Sequence, residues 1–458
     1  MTLKGHRVVV LGLGITGWSA VRWSVRHGAR VAVADTRADP PHAAELRAQL
    51  PEVPLTTGPI VEATLAGAQT IVISPGLAKD QPAIQAAVAR GAELVGDVEL
   101  FARALPPGQQ VLAVTGSNGK TTVTALTAAL LRASGLLATT VGNIGEPVLE
   151  ALAGYEQGVH WPDVFVVELS SFQLETTSSL KPVAATVLNV TQNHLDRYPG
   201  LADYAAAKAR IFGEGGEQIL NRDDALSLAM ARPGRIIQTF GAGAPRGERE
   251  WGLVERKAMP WLAHGGEPLI AAGDLALLGR HNALNALAAL ALASTVAKVE
   301  PRMLAALAAF RGLPHRMERI ADIAGVAFVN DSKGTTVAAT QAALEGIGRR
   351  VVLIAGGDGK GQDFRPLKQA VEAHCRAVVL LGRDAPALRA ALAGVTPAVE
   401  LVATLEAAVG RAIAIAQAGD AVLLSPACAS LDMFNDYAHR GERFRAAVAV
   451  HVSDVTHA

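Results

Sequence analysis

A chain of 458 residues, half of them apolar and 18% charged, is neither disordered nor fibrous, and its length asks for about three domains rather than one core. Lys plus Arg and Asp plus Glu balance at 42 each, so no net field draws the protein to nucleic acid or anionic lipid. The two cysteines, Cys375 and Cys428, lack metal-ligand spacing and point to a reducing compartment, with a single disulfide left open.

The opening MTLKGHRVVVLGLGITG places basic residues before an apolar run, as a signal peptide does. Gly12, Gly14 and Gly17 break that run, however, and Arg22 and Arg26 follow in the helical stretch behind it. The longest purely helical apolar stretch, roughly Ala286–Ala297, is shorter than the ~20 residues a membrane span needs. A soluble, cytoplasmic protein without membrane insertion is expected.

Three α/β units follow along the chain, at 1–97, 98–311 and 312–458. In the first, RVVVLGLG is a buried parallel-type strand, residues 17–28 a helix, RVAVAD a second strand ending at Asp35, and TIVISPG a later one. ARALPPGQQ at 102–110 reads as a linker. The second unit opens with VLAVT at 111–115, a glycine loop and an Ala/Leu helix, then the strands DVFVVELS and VAATVLNV. Residues 235–280 read as a small antiparallel appendage, and the helix NALNALAALALASTVA precedes a second linker at 310–318. The third unit repeats the alternation with VAFVND, RVVLIAGG, AVVLLG and AVLLSP. Strands alternating with helices imply open parallel sheets with helices on both faces, and such sheets bind ligands at the C-terminal ends of their strands. Asp35, Thr115–Thr122, Glu168, Asn189–Asp196, Asp331–Lys333, Gly356–Lys360 and Ser425–Ser430 all fall at that edge. A site enclosed between domains is the expectation.

Two loops carry phosphate chemistry. GLGITG fits G-x-G-x-x-G between a strand and a helix, where backbone N–H groups approach a diphosphate at a helix N-terminus. A dinucleotide site with Asp35 on a ribose or base is the direct reading; glycines that merely let strand and helix pack closely are the other. TGSNGKTT resembles the P-loop, with Val114 where its first glycine belongs. Gly116 and Gly119 free N–H groups, Lys120 neutralises β- and γ-phosphate charge, and Thr121 reaches a Mg²⁺ ion, so ATP or GTP with Mg²⁺ is expected.

Glu168 is the natural carboxylate for that ion, and NVTQNHLDRY offers His194 and Asp196. His194 is as readily structural as a ligand. Lys208, in YAAAKARIF, reads as a surface lysine on an Ala-rich helix, although small neighbours would also allow tight packing and a depressed pKa. Only ten of the 42 basic residues are lysines, and Lys120, Lys208, Lys333 and Lys360 all lie in these motifs.

In order along the chain, GLGITG with DTR, TGSNGKTT, GNIG, ELSSFQLE, NHLDRYP, GRHNALNALAA, LPHRME, NDSKGTT, GGDGKGQDF and LSPACASLDMF resemble the Mur ligase family over essentially the whole chain. NDSKGTT and LSPACASLDMF favour the branch that adds D-glutamate over those adding L-alanine or a diamino acid. The ~100-residue leader before the P-loop argues against folylpolyglutamate synthase-like ligases. A nicotinamide-dependent dehydrogenase fused to an ATPase, or a nucleotide switch, fits the lysines of the third unit less well.

The resemblance implies an α/β fold of three domains: an N-terminal Rossmann-like domain, a central P-loop ATPase-type parallel sheet and a C-terminal Rossmann-like domain. It implies a cytoplasmic enzyme joining D-glutamate to UDP-N-acetylmuramoyl-L-alanine with ATP and two Mg²⁺ ions, working on small molecules as a monomer. Gly14, Ile15 and Thr16 would then grip the UDP diphosphate, with Asp35, Thr36 and Arg37 near the uracil. Gly116, Ser117, Asn118, Gly119, Lys120, Thr121 and Thr122 would hold the ATP phosphates, with Asn282, Asn285, Arg316 and Asp331 around the adenosine and phosphates. Thr121, Glu168 and His194 would serve the metal, joined by Lys208 as a carbamate, and Asn143 would contact substrate or metal. Lys333, Thr335, Lys360, Ser430, Leu431 and Tyr437 would surround D-glutamate; Tyr437 stands where the family usually has Phe.

Overall fold

The structure, a computed structural model, describes residues 3–191, 197–277, 279–359 and 362–456. These build three sheets in two compact units, Met1–Leu275 with Ala283–Ala309, and Ala276–Asn282 with Phe310–Ala458.

The first unit holds two sheets. One has five parallel strands which, numbered along the chain, lie in the order 3-2-1-4-5. Its first strand, Arg7–Leu11, buries Val8, Val9, Val10 and Leu11 completely or nearly so, which is why the sequence there is a continuous apolar run. The helix Ile15–Arg26 follows, and Gly17 lets it lie against the strand, since a Cβ there would sit 1.7 Å from the Gly12 carbonyl oxygen. The other sheet has nine strands in the order 9-8-7-6-5-4-1-3-2. Its strand Gln110–Thr115 lies between Val164–Glu168 and Ala184–Val187, so three strand ends and their loops converge on one edge. The appendage expected at 235–280 is the antiparallel meander Glu250–Arg256, Met259–His264 and Glu267–Ala271.

The segment expected as a linker at 102–110 is shorter than that. The helix Asp97–Ala104 runs through its first three residues, and the next strand begins at Gln110. Leu100 and Phe101 are fully buried, Phe101 edge-to-face with Phe165 at 5.2 Å, and one apolar cluster runs from the first sheet through Phe101 into the second. Burying Phe101 stabilises by about 2 kcal/mol, enough to hold the helix against its Pro-rich exit.

Glu99, on the same helix, fastens it to the second sheet's loops. Its buried carboxylate accepts from the Ser178 and Ser179 N–H groups at 2.6 and 2.9 Å, and from Arg103 Nε at 2.7 Å. Burial alone would raise its pKa, but these donors and the Ser179 hydroxyl outweigh that and hold it at about 2. A folded value below the unfolded one adds stability above pH ~4.5 that is lost as pH falls toward 2. Glu99→Gln should therefore destabilise by about 2 kcal/mol at pH 7, with the gap closing toward pH 3, as read by urea denaturation at several pH values. An equal gap at every pH would show that the charge is not what holds the helix.

The second unit holds a six-stranded sheet in the order 1-2-6-3-4-5. Its edge strand Glu318–Ile323 is antiparallel to Val326–Asn330 and all other pairs are parallel. Val326–Asn330, Ala421–Leu424 and Val351–Gly356 are neighbours, bringing their C-terminal loops together. Cys375 and Cys428 are both buried and free, which closes the disulfide alternative.

Candidate active site

At the sheet edge of the first unit, Thr115 ends its strand and the helix Lys120–Ala133 begins five residues later. Val123 N–H donates to the Gly119 carbonyl at 3.0 Å, so the N–H groups of Gly119, Lys120, Thr121 and Thr122 have no acceptor within the helix. No side chain caps this end. Gly119 sits at φ +82, and a Cβ on it would lie 2.6 Å from Asn285 Oδ1, which places Asn285 against the loop. The loop is tied down from the side: Ser117 N–H donates to the Asn189 carbonyl at 2.9 Å and Asn118 N–H to Asn189 Oδ1 at 2.8 Å. The donors this turn presents to a ligand are therefore those of the helix end. That is a rigid anion cradle.

Two lysines meet there. Lys120 Nζ donates to the carbonyls of Gly116 and Ser117 at 2.8 and 3.0 Å, and Lys208 Nζ donates to the same Gly116 oxygen at 3.0 Å. Lys208 is only 1% exposed, and its Nζ lies 4.4 Å from the centre of the Tyr204 ring. Burial, and then the charge of Lys120, bring its amine down to about 6. The reading of Lys208 as a surface lysine is thus overturned: the helix Leu201–Ala209 buries Tyr204, Ala205, Ala207 and Lys208 on one face. Tyr204 escaped the sequence reading, although its position four residues before Lys208 on a helix was the available signal.

Glu168 ends the neighbouring strand and is also 1% exposed. Its Oε1 accepts from Asn143 Nδ2 at 2.8 Å, while Oε2 is buried with no hydrogen-bond partner. A buried carboxylate oxygen left unpaired is costly unless something else occupies it, and a hard divalent cation meets that need. Among the described residues no group of three His, Cys, Asp or Glu gathers to hold a metal, and His194 and Asp196 lie outside them.

On the first sheet, Gly14 caps its helix in open space, since a Cβ added there would meet nothing within 4 Å, and Ile15 beside it is 69% exposed. Thr16 is partly exposed. Asp35 is buried and its carboxylate accepts from Leu13 N–H at 2.6 Å and from Arg37 Nε and Nη2 at 2.9 and 2.6 Å. The Arg37 side chain holds that carboxyl at about 2, and burial opposes it. Its acceptors are already used, so Arg37 and the exposed Thr36 are the groups this strand end presents to solvent.

In the second unit Asp331 follows its strand, accepting from Ser425 Oγ at 2.8 Å and Met317 N–H at 3.2 Å. Burial pushes its carboxyl up to about 7 against those donors. His315 and Met317 flank Arg316 at φ +63 and +44, a strained backbone of the kind found at functional sites, and Arg316 Nε is buried without a hydrogen-bond partner. Asn282 lines a cavity of about 500 Å³ with Met317, Val329 and Ile347. Lys333 Nζ stands 5.2 Å from the centre of the Tyr437 ring, and Thr335 N–H donates to the Lys333 carbonyl. Ser430 is buried beside Leu431, which is 65% exposed. Lys360 lies outside the described residues. His315 and Arg440, both buried beneath these loops, were not singled out from the sequence.

Comparison with known proteins agrees along the chain. Residues 6–96 match the Mur ligase MurD-like N-terminal domain, 114–293 the Mur ligase middle domain, and 315–428 the Mur ligase glutamate ligase domain. The chain is 54% identical to UDP-N-acetylmuramoylalanine--D-glutamate ligase of Thiobacillus denitrificans, over 98% of this chain and 97% of that one. It is 51% identical to the protein of the same name from Methylobacillus flagellatus, over 98% of each. Among solved structures, UDP-N-acetylmuramate-alanine ligase MurC of Thermotoga maritima shares the fold at a TM-score of 0.57 and 20% identity, over 98% of this chain and 99% of that one. A pseudomurein peptide ligase type C of Methanothermus fervidus does so at 0.56 and 18%, over 97% and 99%. The chain belongs to the Mur ligase family.

Proposed function

We propose that this protein is the ATP-dependent ligase that adds D-glutamate to UDP-N-acetylmuramoyl-L-alanine in peptidoglycan precursor synthesis, releasing ADP and phosphate. The observation that carries this reading is kinship at 54% identity over 98% of the chain with a protein named for that reaction. The chemistry has a clear physical need. A carboxylate does not form an amide with an amine at neutral pH, because its leaving group would be an oxide. Its oxygen instead attacks the γ-phosphorus of ATP, the bond to ADP breaks, and an acyl phosphate forms. The D-glutamate amine adds to the carbonyl carbon, the tetrahedral intermediate expels phosphate, and a proton leaves the nitrogen.

Catalysis of this kind is positioning and charge neutralisation. Lys120 and the helix-end N–H groups of Gly119–Thr122 bear the polyphosphate charge, with Gly116, Ser117 and Asn118 shaping the loop. Asn282, Asn285, Arg316 and Asp331 take the adenosine and phosphates. Gly14, Ile15, Thr16, Asp35, Thr36, Arg37 and Asn143 take the UDP-sugar side, Asp35 acting by holding Arg37. Lys333 and Lys360 match the two carboxylates of D-glutamate, with Thr335, Ser430, Leu431 and Tyr437 around it. The unpartnered Glu168 oxygen and the Thr121 hydroxyl are hard donors that fit Mg²⁺, and His194 is assigned the same role from its motif alone. When bound, the ion screens phosphate oxygens from one another. Lys208, desolvated and neutral above pH ~6, is able to take up CO₂ as a carbamate and so become an anion that serves a second ion.

We keep domain limits of 1–97, 98–311 and 312–458, a monomer, and a cytoplasmic setting as parts of this proposal. Among the described residues no helix is long and apolar enough to cross a membrane. ADP release with ATP, Mg²⁺ and UDP-N-acetylmuramoyl-L-alanine tests the reaction, with D-glutamate against L-glutamate, L-alanine and meso-diaminopimelate. Stoichiometric ADP and amide with D-glutamate alone is expected. Turnover with another amino acid would move the protein to a sibling activity, and no amino-acid dependence would overturn the ligase reading.

A further inference from the structure

The helix Tyr437–Thr456 starts beside the loops assigned to the amino acid, and its first turn buries an arginine. Arg440 is 2% exposed. Its Nε donates to Ser332 Oγ at 3.0 Å, and Nη2 donates to the Ser332 carbonyl at 2.9 Å and the Cys428 carbonyl at 3.1 Å. Nη1 donates to the Ala429 carbonyl at 3.3 Å. One planar group therefore holds two loops that lie 96 residues apart in sequence, as counted from Ser332 to Cys428. The helix backbone joins in. Ser332 Oγ donates to the Tyr437 carbonyl at 2.8 Å, and Asn330 Nδ2 donates to the Gly441 carbonyl at 3.2 Å.

The residues fixed in this way are the immediate neighbours of the proposed ligands. Lys333 follows Ser332, Ser430 follows Ala429, and Tyr437 is one turn before Arg440 on the same helix. We propose that Arg440 is a positioning residue that sets the spacing of Lys333, Ser430 and Tyr437, and with it the fit of the amino-acid substrate, without touching that substrate. The inference rests on the ligase reading above and adds to it a determinant of amino-acid affinity. The guanidinium is suited to this because its five donors lie in one rigid plane and reach both loops at once. A lysine ammonium is a point donor on a flexible stem and cannot hold both loops in one geometry. All four acceptors are neutral oxygens, so the hydrogen bonds serve geometry rather than charge pairing.

The test is steady-state kinetics of Arg440→Lys in the full-length protein, with KM determined separately for D-glutamate, ATP and UDP-N-acetylmuramoyl-L-alanine. KM for D-glutamate should rise about tenfold while the other two stay within about twofold of wild type. Three KM values moving together, or no rise for D-glutamate, would overturn the proposal. Should Arg440→Lys not fold, Ser332→Ala removes one acceptor and should give the same split at about threefold; its absence would equally overturn the proposal. Wild type measured in parallel separates the two claims: its D-glutamate dependence tests the ligase reading, and the ratios of variant to wild type test Arg440.

Discussion

Replacing Lys208 by methionine is expected to abolish turnover and, at the same time, to raise the thermal stability of the protein. The two effects have one cause. Lys208 is buried, its amine 3.0 Å from the Gly116 carbonyl and close to the charge of Lys120, and its pKa is brought down to about 6 from 10.5. Below 6 both folded and unfolded chains carry the proton, and the penalty for burying it is constant. Between 6 and 10.5 the unfolded chain binds the proton and the folded one does not, so stability climbs with pH until the penalty is gone. At pH 7, well below the unfolded value of 10.5, the penalty is on the order of 5 kcal/mol, part of which is repaid by the hydrogen bond. Methionine has similar length and no charge, so Lys208→Met should gain about 2 kcal/mol at pH 7 in CO₂-free buffer. The gain should fade as pH approaches 10, and a thermal-melt series reads both. Loss of the carbamate anion proposed for Lys208 should lower turnover about 10³-fold or more. Lys208→Ala, which leaves space, should recover part of that with a short added carboxylate. Full activity without rescue would show the lysine to be dispensable, and a lower melting point for Lys208→Met would show that it stabilises the fold.

Lys120→Ala should lose ATP use by about 10³-fold or more in kcat/KM with the fold intact by circular dichroism. Lys120 Nζ is the side-chain charge of the cradle, held at 2.8 Å from the Gly116 carbonyl and 3.0 Å from that of Ser117. The backbone N–H groups of Gly119–Thr122 remain in the variant, so residual nucleotide affinity is expected while transfer is lost. A second readout follows from the shared carbonyl. Removing the Lys120 charge takes away the repulsion that helps depress Lys208, so the amine of Lys208 should titrate at higher pH in the variant, as followed by pH-dependent amine labelling. Near-normal turnover would end the assignment of this loop to ATP, and an unmoved Lys208 would show that burial alone accounts for its depressed pKa.

The sequence was sufficient for the elements whose physics is local. A strand buried on both faces must be a continuous apolar run, so RVVVL, QVLAVT and VVLIAG declare themselves, as do the glycine turns behind them. It was insufficient where an element is half-buried or pinned from far away. The strand Glu318–Ile323 went unread, its first residue falling in the linker expected at 310–318, because only its Ile323 is buried and its partner supplies the register through a tight turn at Ala324 and Gly325. The helix Asp97–Ala104 survives a Pro-rich exit because Glu99 and Phe101 are held by residues 60 to 80 positions away.

The same division runs through the site. Phosphate loops need glycines and a lysine at fixed spacing, so the sequence by itself determined the strand–loop–helix cradle and, through motif order, the family. Burial and its consequences were decided only by the tertiary structure. Nothing in YAAAKARIF tells a solvated lysine from one 1% exposed with its amine at about 6, because desolvation comes from the loop that the helix packs against. Nor does the spacing reveal that Glu168 keeps one unpartnered oxygen, or that Arg440 joins Ser332 to Cys428 and Ala429. Residue type and local period are written along the chain, whereas solvent exclusion and hydrogen-bond pairing belong to whatever distant segments the fold brings into contact.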